Sequence, residues 1–132
     1  MKKPRESLYP PDWLKVAGKD WHRMEIMLDN EDAEAAGYFL QQSIEKYIKA
    51  FLLEKGWELR KIHELDALLD EAVKYIPNLE PFRDLCERAS GYYFVERYPA
   101  LVDTGLTCED IEKDIEEAKR LIKALSGKNW WH

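Results

Sequence analysis

Apolar residues return every three or four positions in five successive stretches of this chain, and that spacing limits its fold more than any other feature. From Asp12 to about Asn30 the stripe is Leu14, Ala17, Trp21, Met24 and Leu28. From about Asp32 to Lys55 it is Ala36, Leu40, Ile44, Tyr47 and Phe51, widened by Ala33 and Ile48, with Gly56 as the stop. A third stretch, from about His63 to Ile76, carries Leu65, Leu68, Leu69, Ala72 and Ile76, and Pro77 closes it. Pro81 suits the first turn of a fourth, with Phe82, Leu85, Ala89 and Tyr92, which Pro99 ends near Tyr98. Thr107, paired with Asp110 three residues on, caps a fifth, lined by Ile111, Ile115, Ala118, Leu121, Ile122 and Leu125 and stopped by Gly127. This is the period of the amphipathic helix, and no stretch alternates with the period of a strand. The spacing predicts an all-α, up-and-down bundle of about five helices over 12–127, around a four-helix core. Residues 1–11 read as an N-terminal tail and 128–132 as a C-terminal one.

The second stretch is apolar on more than one side, because Phe39, Leu52 and Leu53 fall off its main stripe. Such a helix is central in its bundle or lies at a subunit interface, so these three residues are candidates for a homodimer contact. On the same broad side stand Gln42, Glu45, Lys46 and Lys49. Three readings are open for them: a solvated face with a Glu45–Lys49 pair, a partly buried polar network, or contact with a ligand or partner.

His63 lies in a neighbourhood made basic by Lys55, Arg60 and Lys61. It either satisfies backbone groups before the third helix or meets a phosphate. Arg97 and Tyr98 close the fourth helix, where the helix dipole alone favours a cation and where an arginine fork could also hold a phosphate. The neighbouring Tyr92, Tyr93 and Phe94 cannot all face one way, so at least one points outward. His22 and His132 belong to no constellation and are expected at the surface.

Charge and composition narrow the function. The 132 residues carry a formal net charge of −6, which gives no general attraction for phosphate backbones. Nonspecific DNA binding is therefore not expected, and any nucleotide or RNA contact must come from a local cluster of cations. No apolar run can span a bilayer, and no apolar stretch follows the basic start, so no signal peptide and no membrane contact are expected and the chain reads as cytoplasmic. Cys86 and Cys108 are expected as reduced, partly buried thiols. No metal-ligand cluster, Gly-rich phosphate loop or nucleophile–base set appears, so no metal and no cofactor are expected.

Two segments carry more than periodicity. Residues 39–72, FLQQSIEKYIKAFLLEKGWELRKIHELDALLDEA, place Gln–Gln, three residues, Lys and then Lys–Ala before a connector and His-x-Leu. ERYPALVDTGLTCEDIEKDIEEAKRLI follows later, with Arg97-Tyr98-Pro99 ahead of the capped helix. In order and spacing, over roughly 12–126, these segments resemble the HEPN family. The resemblance implies a helical bundle that acts as a homodimer, often beside a minimal nucleotidyltransferase in a toxin–antitoxin-like pair, and that binds nucleotide. It also implies an R-x4–6-H motif in the RNA-cleaving members, with Arg97 as the matching arginine. Here that motif is not completed: positions 102–104 are Val102, Asp103 and Thr104, and no arginine is followed by a histidine at that spacing. The reading is a nucleotide-binding partner module with little or no catalysis of its own. Its alternatives are a metal-independent endoribonuclease toxin using Arg97 and a purely structural interaction module.

Overall fold

The computed structural model describes residues 6–97, 104–127 and 130, with the backbone alone for 95–97. The described residues form five α-helices and no strand: α1 Pro10–Asp29, α2 Ala33–Glu54, α3 Leu65–Ala72, α4 Arg83–Arg97 and α5 Cys108–Ser126. A 3₁₀ segment, Pro77–Phe82, joins α3 to α4. This is the expected all-α bundle. Among the described residues no helix is long and apolar enough to cross a membrane.

The helix ends follow from local chemistry. α1 begins two residues earlier than expected, because Pro10 and Pro11 occupy the first turn, where no backbone N–H is needed. The Asp32 carboxylate caps α2 by accepting from the Ala35 amide at 3.1 Å. At its far end the Gly56 amide bonds Leu53 O and the Trp57 amide bonds Leu52 O, with Gly56 at φ +84°. That crossed pair of bonds with a left-handed glycine ends helices commonly. Thr107 and Asp110 form the reciprocal capping box on α5, both bonds at 3.1 Å.

α3 is shorter than the expected 63–76. Two long-range bonds decide its start: the Gln41 amide donates to His63 O at 2.8 Å, and the Leu65 amide donates to Ser90 Oγ on α4 at 2.7 Å. These hold His63 outside the helix. α4 likewise begins at Arg83 and not at Pro81, because the turn carrying both prolines winds as 3₁₀.

α2 packs against all four other helices. It is buried on most of its circumference, from Ala36, Leu40, Ile44, Tyr47 and Phe51 on one side to Lys49 and Leu52 on others, with the stripe Glu34, Tyr38, Gln42 and Lys46 partly exposed. Of the three interface candidates, Leu52 is 0% exposed and belongs to the chain's own core. The double apolarity of α2 thus reflects its central position, and Leu52 is not available to a partner. Phe39 is partly buried against the core and Leu53 is half-buried. From the expected C-terminal tail, Trp130 stacks on Tyr47 with ring centroids 5.9 Å apart, and its carbonyl accepts from the Tyr47 hydroxyl at 3.0 Å.

Candidate functional site

Residues at i, i+4 and i+8 of a helix lie one turn apart on a single face, and Gln41, Glu45 and Lys49 occupy such positions in α2. Glu45 and Lys49 are 4% and 3% exposed, so this is no solvated face. The Lys49 ammonium donates to Glu45 Oε2 at 3.1 Å and lies 5.6 Å from the centroid of the Trp13 ring of α1. The Gln41 amide reaches Glu45 Oε1 at 3.1 Å, and Gln41 Oε1 accepts from Gln42 at 2.6 Å. Lys46, next along the same side, pairs with the buried Asp20 of α1 and donates to Gln42 Oε1 at 3.2 Å. Arg23 pairs with the other Asp20 oxygen at 2.8 Å. Of the readings open for this face, the polar network is the one observed. Each buried charge has an opposite charge and hydrogen bonds, the condition under which ions are tolerated in a core.

The network reaches the surface at His63. Its Nδ1 is 3.1 Å from Glu45 Oε1, its ring stacks on Tyr93 of α4 at 4.9 Å and 12°, and its side chain is 47% exposed. Tyr93 in turn stacks on Tyr38 of α2 at 6.1 Å. Tyr92 turns instead toward α5 and Phe94 outward, 41% exposed, so the three aromatics point different ways. Arg97 is in the last turn of α4, four residues past Tyr93 and therefore on the same helical face. Its side chain, and the whole of Tyr98, lie outside the described residues. His132 lies outside them too, whereas His22 is exposed as expected.

The structure therefore brings Gln42, Glu45, Lys46, Lys49 and His63 into one connected group. Sequence reasoning missed Gln41, Asp20, Trp13 and the role of Tyr93. Asp20 did leave a trace, since it sits three residues after Ala17 on the buried stripe of α1, where a charge demands a partner.

A second polar group joins α4 to α5. The Tyr92 hydroxyl donates to the buried Asp114 carboxylate at 2.5 Å, and Arg88 reaches Asp114 at 2.9 Å and Glu117 at 3.2 Å. Burial first, and then the bond to Asp114, raise the Tyr92 hydroxyl well above its ordinary pKa. It stays a donor, and the group serves as a clasp between helices beside a cavity of about 520 Å³. Both cysteines are free thiols, and burial pushes Cys86 up to about 12, which makes it a poor nucleophile. Among the described residues no group of three or more His, Cys, Asp or Glu side chains is placed to hold a metal ion.

The family model for the HEPN domain matches residues 11–129. The chain belongs to the HEPN family. Among curated proteins and solved structures nothing matches it. In this HEPN domain the two quoted sequence segments fall on most of α2 with the connector and all of α3, and on the end of α4 with most of α5. The segment after Arg97 that would hold the family's histidine has Val102, Asp103 and Thr104 in its place.

Proposed function

We propose that this HEPN domain is a cytoplasmic, homodimeric partner module that holds a nucleotide or RNA phosphate and has little or no catalysis of its own. It would pair with a minimal nucleotidyltransferase in a toxin–antitoxin-like system. The observation that carries this reading is the half-exposed His63, anchored through Nδ1 to a buried carboxylate and stacked on Tyr93, on the α4 face that Arg97 shares. A half-exposed imidazole held in place by an aromatic ring and a carboxylate, and able to donate to oxygen, suits a phosphate. Lys46 and Lys49 are engaged by Asp20 and Glu45, so they support the site from beneath and the phosphate contact falls to His63 and Arg97.

The test is calorimetric titration with ATP and with a short RNA at two salt concentrations. Binding that weakens with salt, and drops about tenfold or more in Arg97→Ala, is the expected result; a tenfold change corresponds to ~1.4 kcal/mol, a usual size for a charged hydrogen bond. No binding of either ligand would leave the structural interaction module as the better account. The same His63 favours one second reading, the metal-independent endoribonuclease using Arg97, because an oriented imidazole on another element could serve as its base. RNA cleavage in the presence of a chelator, lost in Arg97→Ala, would promote that reading.

A further inference from the structure

We infer that anion binding at this site is coupled to uptake of one proton by His63, with Glu45 fixing which nitrogen receives it. The inference rests on the reading above that a phosphate is held beside Tyr93. Its basis is the hydrogen-bond accounting around one carboxylate. Glu45 Oε2 accepts from Lys49 at 3.1 Å, and Oε1 accepts from Gln41 at 3.1 Å. A carboxylate so placed against an ammonium is an acceptor only, so the ring nitrogen 3.1 Å from Oε1 must be the donor. His63 is therefore the Nδ1–H tautomer when neutral. Its Nε2 is then a bare acceptor, and the described residues offer it no hydrogen-bond partner.

A bare lone pair repels a phosphate oxygen, whereas Nε2–H attracts one. Binding and protonation at Nε2 therefore favour each other, and the coupling is reciprocal. Charge balance points the same way. Asp20 is already answered by Lys46 and Arg23, and Glu45 by Lys49, so a proton on His63 adds a further positive charge beside that group, and an arriving anion answers it. Among the described residues, the charged and titratable groups about the ring come from three elements. α2 contributes Glu45, with Lys49 behind it, and Tyr38 through Tyr93; α4 contributes Tyr93; the connector contributes Lys61 and Glu64, close to His63 in sequence. Histidine is the side chain that exchanges a proton in the range where a cell's pH varies.

The probe is a short RNA without terminal phosphates, because phosphodiesters do not titrate near neutrality. Calorimetry in two buffers of different ionisation enthalpy measures proton uptake directly. The expected result is net proton uptake on binding, with affinity falling as the pH rises, by at most about tenfold per pH unit for one proton. The uptake should vanish in His63→Gln. Binding with no uptake overturns the inference and leaves the site itself standing, whereas absence of binding at every pH removes both. Nitrogen-15 NMR of the ligand-free protein gives an independent decision. Nδ1 should keep its hydrogen throughout, with Nε2 titrating, and Glu45→Gln should relax that preference. The opposite tautomer in the native protein would overturn the inference whatever the RNA does.

Discussion

Removing the Lys49 ammonium would strand the Glu45 carboxylate in a place that water does not reach. Glu45 is 4% exposed, and its remaining partners would be the Gln41 amide and His63. Breaking one side of a buried ion pair typically costs about 3–5 kcal/mol, whereas replacing both sides with groups of similar shape costs far less. Lys49→Met should therefore destabilise by about 3 kcal/mol in urea melts, and Glu45→Gln/Lys49→Met should recover most of that loss. A double variant as unstable as the single one would mean that the polar face is not an ion-pair network. That Glu45, Lys46 and Lys49 share a side of α2 was legible from helical spacing alone. The burial of Glu45 and Lys49 and the partial burial of Lys46 were not, because they depend on Trp13 and Asp20 of α1 closing over this side from a remote part of the sequence. The pairing of His63 with Tyr93 likewise has no local signal, since it exists only once the connector docks on α4.

Helix boundaries show the same division between near and far causes. Where the terminating group is adjacent in sequence, as at Gly56, Thr107 and Gly127, the end was readable from the residue types. The limits of α3 were not, because Gln41 and Ser90 come from other helices to hold residues 63–65. The crossing of α2 with α4 and α5 turns on a residue that sequence reasoning passed over. A Cβ built on Gly37 would meet Ile111 and Tyr92 at 3.2 Å and Leu106 at 3.3 Å. Gly37→Ala gains about 1 kcal/mol of helix propensity, yet three side chains must yield at once, and the Tyr92 ring is tied to Asp114 through its hydroxyl. Overpacking of this kind costs about 1–3 kcal/mol, so the net effect should be a loss of roughly 1 kcal/mol. Thermal melts would show it, and a rise in Tm would mean that the three helices part more easily than their packing implies.

Across the whole molecule, one question of assembly follows from where the aromatic side chains end up. Tyr38 and Phe39 meet edge to face at 5.3 Å, Tyr38 stacks with Tyr93 at 6.1 Å, and Phe94 meets Tyr93 at 5.4 Å and is 41% exposed. A connected aromatic surface from α2 and α4 is the kind of patch that interfaces bury. Each copy carries a formal charge of −6, so two copies repel at long range and the contact must be apolar to hold. The expected homodimer buries on the order of 1,200–2,000 Å² in total. Added salt screens the repulsion and should leave the dimer intact or strengthen it, the reverse of its effect on a phosphate ligand. Phe39→Glu and Phe94→Glu should shift sedimentation toward monomer at micromolar concentration, with circular dichroism reporting an unchanged helix content. Leu52→Glu is the contrasting variant, since that side chain is wholly within the core and its replacement should unfold the chain. If the native protein sediments only as a monomer, the aromatic surface must answer to another partner. If it forms a dimer that neither phenylalanine variant weakens, two copies meet elsewhere.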